Sequence, residues 1–422
     1  MAAQFDLRLR DGTQLADIAG VASDKSVHRR LGRPTSVSFR VPSDHDLIWT
    51  PAADGRPFLC SGFRQMMVTL DDPGLYANTI VWALEDDGDE DMAYTRVTCY
   101  DPRMLWPMRP ARDADGDFTD PTFMRDFDTG PAILQAILDA SENAGIGPPD
   151  DAEGDLFLDI TTGNWPGGGV SLAGAPTNFP MSIAEVVGLL QNSGQLDVNV
   201  VPVNSGATMG RVDTYHGNMG VDRTGTVHFD YATGSFNASH LSRTEDMTET
   251  RNKIWRYLGP REDLQHWRAN VTGDDPLLPG NVSGGAGIGG AVPGRPSYAG
   301  GPLGDLIQDS RDGIGVMMEI QIADDQGSEA SVRPLQRRLW QMESLFRAMP
   351  RRTINLTPAR GAGGIFNAGD FNVGDLIAIN VGLKAREAVV GMVQRVYGLT
   401  VEIDDEAVES LILETSPDQD QL

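Results

Sequence analysis

The chain has 422 residues, of which 40% are hydrophobic and 22% charged, and its 60 acidic and 34 basic residues give a formal net charge of −26. A length of this order predicts about two to four domains, and the composition is that of a folded protein. So acidic a surface excludes a protein that binds nucleic acid through its phosphates or docks on an anionic membrane. It suits a wall past which DNA slides without binding, although acidity can also serve solubility alone.

Residues 1–105 are predicted to form β-structure. The apolar residues Val37, Phe39 and Val41 alternate with polar ones, which is the pattern of a strand with one buried face. Further strands are predicted at Phe58–Cys60, in the run that ends at Leu70, at Thr79–Leu84 and at Tyr94–Tyr100, and the acidic stretch Glu85–Asp91 is predicted to be a hairpin tip.

The middle of the chain is predicted to mix helix and strand. Proline in a first helical turn begins a helix over Pro131–Asn143. Ser182 and Glu185 form a capping box in front of a second helix, and a strand follows from Leu196. These features predict a small α/β unit over residues 129–205.

Strand signals return in the last part of the chain. Thr226–Asp230 is the clearest of them, while residues 245–258 fit helix and strand equally well. Residues 271–304 are dominated by Gly and Pro and are predicted to be a long flexible linker. An apolar stripe predicts a helix over residues 331–349, and alternating residues predict strands over 352–416.

Two segments near opposite ends of the chain resemble each other, Phe58–Asp72 and Ala388–Asp404. Each reads as a short apolar strand, a glycine, a second strand and an acidic turn. The similarity is consistent with two copies of one small antiparallel β-barrel, and chance similarity between two hairpins explains it equally well. The glycines expected to be structural in these barrels are Gly62, Gly374, Gly391 and Gly398.

The predicted fold class is therefore mainly β with α/β insertions, with two small β-barrel domains and one peripheral α/β domain. The predicted boundaries are 1–110 for the first barrel, 111–205 for the α/β domain, 206–270 for a β segment that completes or bridges the domains, 271–304 for the linker, and 305–422 for a helix followed by the second barrel.

No motif in the sequence predicts catalysis, a cofactor or a metal. The sequence of Gly285–Gly290 matches the glycine pattern of a dinucleotide-binding motif, but no strand is predicted before it and no helix after it. The acidic loop around Asp113 does not have its glycine one position after the third aspartate and lacks the distal glutamate of a calcium loop, and the six histidines show no zinc spacing. Cys60 and Cys99 lie in apolar runs and are predicted to be buried free thiols. No secretory signal and no transmembrane helix is expected.

A basic cluster stands out in this acidic chain. It fits a solvated face that pairs with local carboxylates, or a dock for an acidic surface on a neighbouring subunit or partner. Its members are Arg333, Arg337, Arg338, Arg347, Arg351 and Arg352.

Several motifs resemble those of one protein family. They are FDLRLRDG at Phe5–Gly12, LGRPTSVSFRVP at Leu31–Pro42, VTCYDPRML at Val97–Leu105, TRNKIW at Thr250–Trp255 followed by Gly259-Pro260, VGDLI at Val373–Ile377 and QRVYG at Gln394–Gly398. With them the chain resembles the minor tail or baseplate-hub proteins of long-tailed actinobacterial phages, which are similar to the hub protein of contractile tails.

The resemblance implies a homotrimer in which each chain gives two β-barrel tube domains to a ring at the virion tail tip. That ring would join the distal tail protein to tip or fibre proteins, and DNA would pass through its lumen. The implied protein is structural, without cofactor or membrane insertion, and is made in the host cytoplasm.

Two other functions stay open at this point. One is a tail-associated cell-wall hydrolase, which the lack of a compact catalytic motif disfavours. The other is a receptor- or carbohydrate-binding tail module, for which Trp165 and Trp267 are the aromatic candidates.

Overall fold

The structure is a computed structural model. It describes residues 3–62, 64–88, 93–111, 130–143, 157–166, 181–192, 196–215, 219–232, 235–248, 253–258, 269–270, 319–324, 351–358, 367–381, 390–404 and 409–417. The predicted linker at 271–304 and the predicted helix at 331–349 lie outside the described residues.

The N-terminal region is made of strands, as predicted. Val37, Phe39 and Val41 are at most 1% exposed, so the predicted alternation is confirmed. The elements are β1 Gln4–Leu9, β2 Gln14–Asp17, β3 Ser23–Arg30, β4 Arg33–Pro42, the short helix α1 Asp46–Trp49, β5 Arg64–Thr69, β6 Leu75–Gly88 and β7 Ala93–Tyr100.

Two local predictions in this region were wrong. Phe58–Cys60 is not a strand, because the backbone there turns back to bond with Thr50 and Leu47. The acidic stretch is not all hairpin tip, since β6 continues through its first half and Glu85 lies opposite Arg96 of β7. The pairing of opposite charges across the two strands offsets the low strand propensity of this stretch.

The middle of the chain forms the predicted α/β unit. Its elements are a 3₁₀ helix Pro102–Met108, α2 Gly130–Asn143, β8 Leu158–Asp159, α3 Ile183–Asn192, β9 Asp197–Ser205 and β10 Thr208–Tyr215. The capping box of α3 is confirmed, because Ser182 N and Oγ both contact Glu185 Oε2 and Glu185 N donates to Ser182 Oγ. The unit has its own apolar core, which α2 and α3 share with the three strands and Trp106.

The C-terminal half is β again, and the ambiguous residues 245–258 fall mainly in two strands. The strands are β11 His228–Ala232, β12 Ser235–Phe236, β13 Ala238–Asp246, β14 Lys253–Leu258, β15 Ala269–Asn270, β16 Glu319–Asp324, β17 Arg351–Pro358, β18 Leu376–Val381, β19 Val390–Ile403 and β20 Glu409–Pro417. Strands β14, β15 and β16 form a small sheet of their own.

Strands from both ends of the chain join in one 14-stranded sheet. Its path runs β12-β11-β18-β19-β3-β4-β7-β6-β5-β1-β2, while β20, β17 and β13 continue from β19 in a branch. The pairs along the path are antiparallel except β11–β18. One apolar core follows this sheet through both halves, with edge-to-face pairs Phe5–Phe39 and Phe229–Phe371 at 6.3 Å. The predicted mainly β fold is therefore confirmed, and its two β halves share a strand and a core.

Candidate functional site

The two halves of the sheet meet on β19. Gln394 and Arg395 pair with β18 on one edge and with β20 on the other. Further along, β3 takes over the edge that β18 leaves, from Gly398 onward. At the changeover the amides of Leu31 and Gly374 donate to the carbonyls of Tyr397 and Val396, both at 2.8 Å. This seam is the point at which the N-terminal and C-terminal halves are fixed to each other.

A buried carboxylate holds the seam. Asp375 is 2% exposed, and it accepts hydrogen bonds from Val221 N at 2.8 Å, Asn372 N at 2.9 Å and Arg223 Nε at 2.7 Å. The buried Arg395 donates from Nη1 to Met219 O at 2.8 Å. Charged hydrogen bonds of this kind are stronger than neutral ones, so they tie the strap at residues 219–224 to the turn before β18.

Two glycines let the backbones cross closely at the seam. Gly374 has φ +98°, and a Cβ there would lie 2.6 Å from Met219 O. Gly220 has φ +108°, and its Cβ would lie 2.2 Å from the Gly374 carbonyl. Only glycine fits both the conformation and the space.

The other predicted glycines occupy different settings. Gly62 has φ +77° in a turn and donates its amide to Val81 O at 2.7 Å, whereas Gly391 lies within β19 opposite Asn380. A Cβ on Gly398 would meet Glu414 Oε2 at 3.0 Å, next to the bulge between β19 and β20. The two look-alike segments therefore differ in backbone structure. The assignment of these glycines to tube domains stays a prediction.

Most of the predicted basic cluster lies outside the described residues, namely Arg333, Arg337, Arg338 and Arg347. Arg351 and Arg352 begin β17, where their backbones pair with Asp246 and Glu245 of β13. The docking role of the cluster stays a prediction.

The face of the sheet opposite the core is polar across the seam. His28 Nδ1 and Thr400 Oγ1 lie 2.7 Å apart, Ser26 and Ser38 share a hydrogen bond of 2.8 Å, and Arg40 pairs with Asp24 at 3.0 Å. Burial lowers the pKa of His28 below its usual value, so the ring is neutral at pH 7. Hydroxyls and an ion pair therefore make up much of the described part of this face.

The loop between α1 and β5 is held by a buried arginine. Arg64 is 1% exposed and binds both oxygens of Asp54, at 2.6 and 2.9 Å. It also donates to the carbonyls of Phe58, Arg56 and Pro57. The bond to Arg64 lowers the pKa of Asp54 to about 2. The sequence contained no pattern that predicts this clamp.

The described residues offer little support for a metal site or a reactive thiol. No group of three His, Cys, Asp or Glu side chains there is placed to hold a metal ion. Cys99 is buried, as predicted, but Cys60 is only half-buried, because its loop lies at the sheet end. Burial raises the pKa of both thiols, which disfavours their reactive thiolate forms.

The aromatic candidates do not form a binding platform in the described part of the chain. Trp165 packs against the α/β core and donates its Nε1 proton to Ile160 O at 2.8 Å. Trp267 lies outside the described residues. Among the helices described, none combines the length and apolar character that a membrane crossing needs.

Comparison with known proteins gives a fold match. No protein-family model matches the chain, and no curated protein matches it. Among solved structures, the 43 kDa tail protein of prophage MuSo2 from Shewanella oneidensis is similar with a TM-score of 0.57 and 10% identity, over 99% of this chain and 98% of that one. The tail protein from Neisseria meningitidis MC58 is similar with a TM-score of 0.51 and 8% identity, over 99% and 97%. The chain therefore shares its fold with two tail proteins along nearly its whole length.

Proposed function

We propose that this chain is a structural protein of a phage tail, which forms a tail-tip or baseplate-hub ring and catalyses no reaction. The observation that carries the proposal is the fold match to two tail proteins, which covers 99% of the chain. At 8–10% identity this match supports the fold, and the role of the ring is our inference from it.

The architecture suits a wall element. A single sheet runs through both halves of the chain, and the seam on β19 fixes the halves with backbone bonds and the buried Asp375. A wall that must keep its shape while a polymer passes gains from such a rigid connection. The polar sheet face and the net charge of −26 would let DNA move along this wall without binding to it.

The proposal includes a homotrimer. Two β halves in each chain would give three chains six wall segments, so that the ring matches a six-fold tail tube. The ring would join the distal tail protein on one side to tip or fibre proteins on the other, and DNA would leave through its lumen. The chain would be made in the host cytoplasm and reside at the virion tail tip.

Two measurements test this proposal. Light scattering after size-exclusion chromatography should give a mass of about 137 kDa, three times the chain mass of 45.6 kDa. Mass spectrometry of purified virions that carry the gene should find the chain in the particle. A strictly monomeric chain that is absent from virions would contradict the proposal, and release of soluble fragments from purified cell walls would instead favour a hydrolase.

A further inference from the structure

One large apolar side chain of the N-terminal half faces solvent. Trp49, at the end of α1, is 70% exposed, which is the highest value among the large hydrophobic residues of the described chain. Its Nε1 proton already bonds to Ser43 O at 2.8 Å, so the indole offers its carbon surface. Tryptophan is enriched among the residues that dominate binding energy at protein interfaces.

The fold presents Trp49 on a rigid support. Leu47 and Ile48 of the same helix pack against the main core. The chain that follows, from Asp54 to Phe58, is held by the buried Arg64 through five hydrogen bonds. A side chain that is ordered before binding loses less conformational entropy when it binds. The exposed indole is therefore positioned for a contact.

A groove of about 350 Å³ lies at the end of β6 opposite to the end near Trp49. It is formed where the N-terminal sheet, the α/β unit and the strap at 219–224 meet. Its apolar lining includes Leu75, Val201, Pro202 and Val221, and the Val221 side chain is 61% exposed. The groove is large enough for one indole ring together with its flanking atoms.

The polar groups of the groove suit an aromatic ring with acidic neighbours. Arg29 and Arg223 line it, and the Arg223 side chain is 34% exposed although it is paired with Asp375. A guanidinium beside an indole face is a favourable cation–π contact. Tyr76 is 1% exposed and also lines the groove, and the Arg29 guanidinium lies over its ring at 5.2 Å.

The charges set the orientation of the contact. Asp44 and Asp46 are exposed beside Trp49. The turn before β6, at one end of the groove, carries the exposed Asp71 and Asp72, which would repel them. The acidic flank of Trp49 is therefore expected to face Arg29 and Arg223 of the groove rather than these two carboxylates.

From these observations we infer that Trp49 of one copy of this chain inserts into the groove around Val221 of a second copy. Trp49 and the groove lie at opposite ends of β6, because Ser43 bonds to Ala93 beyond its C-terminal end while Leu75 begins it. The contact is thus heterologous, and such contacts build rings when the rotation closes. The inference rests on the proposed homotrimer and names the contact that joins its subunits.

Single substitutions test each side of the contact. Trp49→Ala should weaken subunit association about 30-fold or more, as expected for the loss of a dominant interface residue. Val221→Glu should do the same, because it puts a charge in the groove, while the bond from Val221 to Asp375 is made by the backbone amide and not by the side chain. Met108→Ala is the matched control, since Met108 is 63% exposed, lies in the 3₁₀ helix and does not line the groove. Circular dichroism checks that each variant is folded.

Mixing the two variants tests the head-to-tail geometry. Trp49→Ala keeps an intact groove and Val221→Glu keeps an intact Trp49, so an equimolar mixture should form a dimer of about 91 kDa that neither variant forms alone. If the wild type is trimeric and both variants remain trimeric, or if the mixture stays monomeric, the inference is wrong while the proposed function stands. If the wild type is itself monomeric, both fail.

Discussion

Replacing the buried carboxylate of the seam should loosen the connection between the two halves of the sheet. Asp375→Ala removes the acceptor of two backbone amides, those of Val221 and Asn372, and of the Arg223 guanidinium. Net losses for hydrogen bonds to a charged group are about 1.5–3 kcal/mol each. Val221 and Asn372 belong to exposed stretches where water can replace part of the loss. We therefore expect a total cost of about 2 kcal/mol, close to the net loss of one such bond.

Amide hydrogen exchange measures this loss of stability at the seam itself. The amides of Val221 and Gly374 should exchange about 30-fold faster in the variant, which corresponds to about 2 kcal/mol. Glu402→Ala is the matched control, because this carboxylate is exposed on β19, and its effect should stay below about 0.5 kcal/mol. Unchanged exchange at the seam in Asp375→Ala would show that this carboxylate does not hold residues 219–224 against the turn before β18.

Three further outcomes follow from single side chains. Gly374→Ala should cost about 2–3 kcal/mol in urea unfolding, because its φ and the close carbonyl exclude a Cβ, whereas Gly188→Ala in α3 meets open space and should be neutral or stabilising. A disulfide reagent should modify Cys60 in the folded protein and reach Cys99 only on unfolding, since Cys99 is fully buried. Burial lowers the pKa of His28, so the unfolded chain takes up its proton first as pH falls through 6.5. Stability should therefore fall from pH 7 to pH 5, and His28→Gln should reduce this pH dependence.

A specific result would contradict each of these three predictions. Equal unfolding midpoints for the two glycine variants would show that the seam tolerates a Cβ. Rapid labelling of Cys99 in the folded state would show that the core opens there. An unchanged pH dependence in His28→Gln would assign it to other groups.

The local elements could be predicted from the sequence because their signals are local. The alternation at Val37–Val41 predicted a buried strand face, and the Ser182–Glu185 capping box predicted the start of α3. The pairing of the strands could not be predicted, because β19 joins partners that are far apart in sequence. Gly391 was predicted to separate two strands, yet it lies within this one 14-residue strand.

At the candidate site, too, single residues could be noted in the sequence, but their partners could not be predicted. Asp375 and Gly374 belong to a motif noted in the sequence, VGDLI, but their partners on the 219–224 strap are about 150 residues away. The clamp by Arg64 and the exposure of Trp49 depend on how one loop folds back on the sheet end. No local pattern distinguishes such an arginine or tryptophan from those in an ordinary strand or core.

Electron cryomicroscopy of the tail tip of virions that carry the gene can show whether this chain builds a ring there. We expect a three-fold ring around the tail axis into which three copies of this fold fit, with the polar face of the sheet along the channel. A tip without this fold, or a single copy at its periphery, would rule out the proposed ring.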